Sequence, residues 1–545
     1  MTTALLPAAA NLAWSTMNRP AHSRFRRALR NPRLVQETLL LDYIRCNADT
    51  AFGREHHFDR IDSFAAFRES VPLRDYDDFA PYLDRVASGE VGVLTAEPVV
   101  RLATSSGSTA ARKLIPYTRG LQREFNRAIG PWIVDLYRSD PLLARGCAYW
   151  SITPVAQTTR DHRGHGPPIG FEEDSAYLGG VCKRMVNATM AVPGVVRRLT
   201  DVETFRYVTL RLLLAREDLR LISVWHPSFL ELLLDEAAKE WDRLAADVAQ
   251  GELSPSRAVD PKIAAELRRC LRPDLARAAN LRRCGPGRWD QVWPKLRLIS
   301  CWGDAHAELP SRSLARRFPA TRLQAKGLLA TEAFVTIPFA GRRPLAIGSH
   351  FFEFLADDGA VQLAHDLELG RRYGVVVTTA GGLWRYKLGD EVEVDGFVDQ
   401  TPSLRFVGRR DRVVDYFGEK LSETFVAGVL AELLRDTNAS FAMLAPDPAD
   451  AGFRYTLFIE CDEAAASSTL APRLDELLRA NPHYGYCRDL RQLQPSGIFL
   501  VRRHAYSAYA TALNRAGLRL GDVKPQSLSD RTDWARVLSG DGATR

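Results

Sequence analysis

Between two stretches with helical apolar spacing, Val202–Leu214 and Phe229–Leu244, lies Leu219–Trp225, a largely apolar run closed by His226-Pro227. A short apolar run bounded by proline reads as a buried strand. Leu296–Asp304 and Arg322–Glu332 repeat the shape, each ending in small and polar residues. Strands that alternate with helices predict a layered α/β architecture. Further strands are expected at Gly146–Ile152, Phe351–Leu355, Gly374–Thr379 and Val392–Val398, with a polar break at Asp399–Ser403. Residues 15–95 and Leu121–Tyr137 read as helical, and the Gly/Pro-rich stretch Arg163–Gly170 as a loop. After Phe406–Asp411 the texture changes to helix Glu423–Asp436, strand Phe453–Ile459, helix Leu470–Ala480, strand Ile498–Val501 and helix Tyr506–Ala516. A chain of 545 residues is too long for one core. The expected division is a large α/β domain over 1–407 and a smaller, mobile α+β domain over 408–545, hinged at 408–411.

Composition narrows the function classes. No apolar run reaches the length of a membrane span. Met1–Trp14 is mildly apolar but lacks a basic start, and Arg24, Arg26, Arg27 and Arg30 follow it. It reads as an N-terminal helix or arm rather than a secretory signal, with an Arg-rich organellar transit peptide as the alternative. Eight scattered cysteines without a C-x-x-C pair suggest reduced thiols in a cytoplasmic protein and no structural zinc. The net charge of +7 is spread among acids, with no basic run interleaved with aromatics, which argues against nucleic acid as a partner. The basic residues divide into 64 arginines and only nine lysines. That bias makes each lysine a candidate for a place that needs a compact ammonium.

Four segments carry chemistry. Thr104-Ser-Ser-Gly-Ser-Thr109 is a run of hydroxyls around one glycine, flanked by apolar segments and followed by Arg112 and Lys113. Glycine lets backbone amides converge and hydroxyls donate to phosphate oxygens, so such a loop can wrap a polyphosphate. It is not a Walker A loop, and alone it is equally an ordinary solvated turn. Ala330-Thr331-Glu332 sets a hydroxyl beside a carboxylate, which suits a triphosphate when the acid holds Mg²⁺. Tyr386-Lys-Leu-Gly-Asp390 places a carboxylate after a glycine turn, where it can accept ribose hydroxyls. Gly408-Arg-Arg-Asp411 offers guanidinium forks for phosphate or ribose oxygens. Each alone has a bland reading as a surface acid, a turn residue or a local ion pair. Their occurrence together in this order is the informative feature.

Taken together these residues resemble the adenylate-forming superfamily and, within it, the auxin-responsive acyl-acid amido synthetase family. The similarity runs through Leu102–Pro116, Phe351-Phe-Glu-Phe354, Val376–Asp390 and Phe406–Glu423, with Val376–Asp390 the most specific stretch. The resemblance implies an ATP- and Mg²⁺-dependent ligase that adenylates a carboxylic acid and passes the acyl group to an amino acid. It implies that Ser105, Ser106, Gly107, Ser108 and Thr109, with Lys113, hold the β/γ-phosphates. It puts Glu332 on the metal, Thr331 on the α-phosphate, Asp390 on the ribose and Gly303-Asp304 beside the adenine. Arg409 reaches ribose or phosphate, Lys420 neutralises transition-state charge, Asp411 is the turning point of the small domain, and Lys524 matches a C-terminal lysine. Trp225 and His226 either line the acyl pocket or form a core pair.

The chain departs from the plant members in a shorter first loop, in Ala330-Thr331 before Glu332, and over Asp161–Asp235, where the acyl pocket is expected. An acyl-CoA ligase would share the first half-reaction, but its C-terminal Pro-Lys-x-x-x-Gly-Lys signature is missing. A catalytically silent nucleotide-binding protein would have lost the acids and bases that Glu332, Asp390, Arg409 and Lys420 retain.

Overall fold

The computed structural model describes residues 5–105, 113–151, 166–169, 180–410, 412–449, 452–462, 469–515, 518 and 523–539. A hairpin of β1 (Val99–Ser105) and β2 (Lys113–Thr118) brackets the hydroxyl loop. Four parallel strands follow, β3 (Cys147–Trp150), β4 (Leu219–Ser223), β5 (Leu298–Cys301) and β6 (Arg322–Ala325), side by side in chain order. Their residues are mostly buried, as expected of strands with helices on the sheet faces. The helix over Val202–Leu214 matches its expected bounds, whereas Phe229–Leu244 is two helices, Pro227–Lys239 and Trp241–Gln250. The N-terminal arm is a docked helix, Leu5–Ala28, fixed by Asn11, whose amide donates to the Gly146 carbonyl at 3.0 Å.

An antiparallel sheet in the order β11-β10-β9-β7-β8 forms the second layer. Its strands are β7 (Phe351–Leu355), β8 (Val361–Leu363), β9 (Arg372–Thr378), β10 (Tyr386–Val398) and β11 (Thr401–Arg409). The expected strand at Val392–Val398 is the end of β10, and most of the expected polar break belongs to β11. The Glu353 carboxylate accepts from Arg385 Nε at 2.9 Å and Nη2 at 2.8 Å, and Arg385 Nη1 donates to the Val71 carbonyl at 2.6 Å. This buried fork locks β7 to the turn entering β10.

After the two-residue ladder β12 (Val413–Val414) and β13 (Leu421–Ser422) comes a sheet of β14 (Phe441–Ala449), β15 (Gly452–Glu460) and β16 (Gly497–Leu500). Separate apolar clusters cover its two faces. Gly408 is the contact point with this part of the chain. A Cβ there would lie 2.7 Å from Thr424 Cγ2, so only glycine lets β11 meet the helix Glu423–Leu433 so closely. Among the described residues seven cysteines, including buried Cys147, Cys284, Cys301 and Cys487, are free, and no described helix is long and apolar enough to cross a membrane.

Glu353→Ala leaves the Arg385 guanidinium buried and unpaired, and is expected to cost about 3–5 kcal/mol, read as a fall in the urea unfolding midpoint. A midpoint equal to that of the parent would contradict the locking role.

Candidate active site

The ends of β6, β10 and β11 converge on one cleft of about 500 Å³, closed on its far side by 523–527 and the helix Glu423–Leu433. Two irregularities aim its polar groups. The first is a bulge in β10. Lys387 pairs with Val376 and Glu391 with Gly374, so Leu388, Gly389 and Asp390 contain extra residues that β9 does not match. Gly389, at φ 82°, supplies the left-handed turn, and the bulge presents Leu388 and Asp390 to the cleft. What reads in sequence as a turn is thus a bulge within a long strand. The second is the turn after β6, closed by the Ala330 amide on the Ala333 carbonyl at 3.0 Å, which presents Thr331 and Glu332.

That turn is braced from behind. The Phe334 amide donates to His350 Nε2 at 3.0 Å, so the ring proton sits on Nδ1, 3.0 Å from Glu124 Oε2. Glu124 also accepts from the Ala380 amide at 3.1 Å and from the Tyr43 hydroxyl. A buried chain of polar groups therefore ties the Glu332 turn to the loop that leads into β10.

Asp390 stands opposite Arg409 across β10 and β11, and Arg409 Nη1 donates to Asp390 Oδ1 at 3.4 Å. Arg410, one residue on, points to the other face and pairs with Glu391 at 2.7 Å, as strand alternation requires. Glu332 is 6% exposed, and burial, then repulsion from Asp390, push its carboxyl above the usual carboxylate range against the pull of Arg409 and Lys113. Two acids and two cations thus share one poorly hydrated site, a setting typical of functional groups. Lys113 lies over the Tyr76 ring, 5.4 Å from its centre. Arg412 clasps Glu423 at 3.0 Å, and Glu423 also accepts from the Ser527 amide at 3.2 Å, which fixes the 523–527 segment over the cleft.

The structure brings Lys113, Gly303, Asp304, Thr331, Glu332, Asp390, Arg409 and Lys524 to this cleft. Asp304 is committed locally: Arg343 Nη1 donates to it at 2.6 Å and the Phe406 amide at 3.3 Å. Lys420 is not among the lining residues. It is exposed at φ 43°, after the Gly418 turn. The lysine that the C-terminal part brings to the cleft is Lys524, 4.6 Å from the Trp302 ring centre, and Arg412 also lines the cleft. Ser106, Gly107, Ser108, Thr109 and Asp411 lie outside the described residues, and Ser105 is described only as the last residue of β1.

Apart from Trp225, the apolar part of the lining has no signal in the sequence reading. Trp14, Trp132 and Trp150 form an edge-to-face set with ring centres 6.1 and 5.7 Å apart, joined by Phe125, Met190 and Trp225. Trp225 and His226 part company: Trp225 lines the cleft, while His226 is buried at the start of the helix Pro227–Lys239, stacked on Tyr506. Lys326, directly after β6, also lines the cleft, and the scarcity of lysine was the one signal that pointed to it.

Glu332→Gln removes a charge held in a poorly hydrated place beside Asp390. It is expected to raise the thermal midpoint of the ligand-free protein by about 1–3 °C at neutral pH. An unchanged or lower midpoint would mean that Lys113 and Arg409 already compensate the charge.

Models of the GH3 family N-terminal, central and C-terminal domains match residues 21–314, 344–409 and 427–533. The chain is 26% identical over 449 residues to indole-3-acetic acid-amido synthetase GH3.8 of Oryza sativa subsp. indica, covering 76% of this chain and 71% of the relative. It is 27% identical to putative indole-3-acetic acid-amido synthetase GH3.10 of Oryza sativa subsp. japonica, covering 76% and 84%. The solved structure of GH3.15 acyl acid amido synthetase superposes with a TM-score of 0.83 at 20% identity, covering 96% of each chain.

Proposed function

The chain belongs to the GH3 family, and from that membership and the charge arrangement of the cleft we propose that it is an ATP-dependent acyl-acid amido synthetase. The observation that carries this reading is the meeting of Glu332, Asp390, Arg409 and Lys113 with a tryptophan-lined apolar wall in one cleft. In the first half-reaction a carboxylate oxygen of the acid attacks the α-phosphorus of ATP. The new O–P bond forms as the bond to the bridging oxygen breaks, giving an acyl-adenylate and pyrophosphate. In the second, the amine nitrogen of an amino acid attacks the acyl carbonyl. A C–N bond forms, AMP leaves, and the amine loses a proton.

The physical problem in the first step is to bring two anions together and to hold the charge that builds on phosphorus. Fixed cations and donors in a water-poor cleft do this at little reorganisation cost. Lys113 and Arg409 supply positive charge, Thr331 a hydroxyl toward the α-phosphate, and Asp390 an acceptor for the ribose hydroxyls. The hydroxyl run Thr104–Thr109, which begins at the end of β1, would grip the departing pyrophosphate. No group of three His, Cys, Asp or Glu side chains suited to a metal is found among the described residues. The donor set nevertheless fits Mg²⁺, which takes one or two carboxylates and draws its other ligands from water and phosphate. Glu332 would hold it, and the ion would neutralise phosphate charge.

Residues 408–545 act as the mobile small domain in this reading, turning near Asp411. In the arrangement described, that domain offers Lys524 to the cleft and holds Lys420 outside it. We therefore assign Lys524 to adenylation and Lys420 to the conformation that follows rotation.

Acid-dependent ATP–pyrophosphate exchange, followed by detection of amides with amino acids, tests the assignment. Lys524→Ala should lower exchange by about 10²–10³-fold. Lys420→Ala should instead slow amide formation from preformed adenylate. Absence of exchange with a broad panel of aryl, indolyl and fatty acids would sink the enzyme reading. Product release only on addition of coenzyme A would reassign the acceptor.

A further inference from the structure

Among the described residues, three lysines line the cleft: Lys113, Lys524 and Lys326. The first two have places at the phosphate end, and Lys326 has none. Its amide donates to the Cys301 carbonyl at 2.7 Å, and its ammonium donates to Ser223 Oγ at 2.6 Å. The ammonium nitrogen sits between two indoles, 5.3 Å from the Trp132 ring centre and 5.2 Å from that of Trp225. Among the described residues it forms no ion pair with any carboxylate. The side-chain carbonyl of Gln324, two residues earlier on β6, already accepts from Trp132 Nε1 at 3.2 Å and Ser300 Oγ at 3.3 Å.

An ammonium has three donors and little tolerance for a poorly hydrated place without an anion. Indole faces and one hydroxyl compensate only in part, and burial pushes the Lys326 ammonium down to about 8. Lys326 also stands apart from the reacting end. The charges that act on Glu332 include Asp390, Arg409 and Lys113, whereas among the described residues Cys301 is the ionisable group that acts on Lys326. Five residues lie between these positions, and the six steps of chain span up to about 20 Å when extended. Flat tryptophan walls beside the ammonium favour an aromatic body.

We infer that the acyl acid is an aromatic acid with a second acidic oxygen group, a carboxylate or a phenolate, and that Lys326 receives this group. The inference rests on the synthetase reading for the role of the other carboxylate, and equilibrium binding separates the two. Trp132 and Trp225 flank the ammonium, so quenching of intrinsic fluorescence in the full-length protein reports occupancy without any turnover. The probes are phenylacetate and 3-phenylpropionate, each compared with its ortho, meta and para carboxylate and hydroxyl derivatives.

At one spacing the derivative should bind about 10- to 100-fold more tightly than its parent, as a charge-assisted hydrogen bond provides. Carboxylate and hydroxyl arms decide which oxygen is preferred. Lys326→Met should erase or invert the preference, and Lys326→Arg should retain part of it, with ATP-induced thermal stabilisation showing that each variant is folded. Equal affinity of parents and derivatives at every spacing in the unaltered protein overturns the inference, whether or not a variant folds. A preference that survives in Lys326→Met overturns it also. Failure of every probe to support pyrophosphate exchange would count against the synthetase reading instead.

Discussion

Two carboxylates, Glu332 and Asp390, are held in one poorly hydrated cleft, and much of the structure exists to keep them there. Their mutual repulsion and the loss of water both favour protonation of Glu332. The backbone opposes this through geometry rather than affinity. A bulge in β10 fixes Asp390, a braced turn fixes Glu332, and Arg409 and Lys113 are brought close enough to restrain both. Because the bulge and the turn belong to different sheets, the parallel and antiparallel layers must pack in one register for the site to exist. The buried chain from Tyr43 through Glu124 and His350 to the Phe334 amide connects those layers, and the fork of Arg385 on Glu353 fixes the antiparallel layer internally. These polar groups are fully enclosed, where a missing partner is costly, so they specify one arrangement as well as stabilise it.

The same cleft joins charge and apolar surface. The charged residues of the cleft come from strand ends and the 523–527 segment, while the aromatic wall is assembled from the first helix, the helix Arg119–Ser139, β3 and the end of β4. Trp14 is separated from Trp150 by more than a hundred residues, yet the two rings touch. In the proposed reading, recognition of the acid and activation of its carboxylate therefore draw on different parts of the chain. That division lets one activation chemistry serve different acids by changes in the wall alone.

Local signals were legible wherever period and boundary agreed. Val202–Leu214 is helical to its ends because Asp201 caps it, its side chain accepting from the Thr204 amide at 2.8 Å. The break between Pro227–Lys239 and Trp241–Gln250 was hidden, since no glycine or proline marks it and apolar spacing continues across it. The start of β11 reads as part of a polar break because Thr401 and Ser403 are polar although buried; Thr401 Oγ1 donates to the Leu29 carbonyl at 3.0 Å. β14 was missed because Pro446 and Pro448 argue against a strand. It lies at the edge of its sheet, where proline need not donate to a neighbour.

By itself the sequence determined the layered α/β class, the order of the four chemical segments and the resemblance that names their reaction. Each is written in contiguous residues whose spacing and side chains act over one strand or turn. Only the tertiary structure decided which lysines share the cleft, that Asp390 faces Arg409 across a bulge, and that Trp14, Trp132, Trp150 and Trp225 build one wall. Those are contacts between residues far apart in the chain, set by how sheets and helices pack. No local period or motif encodes the distance between two side chains that meet only after the chain has folded.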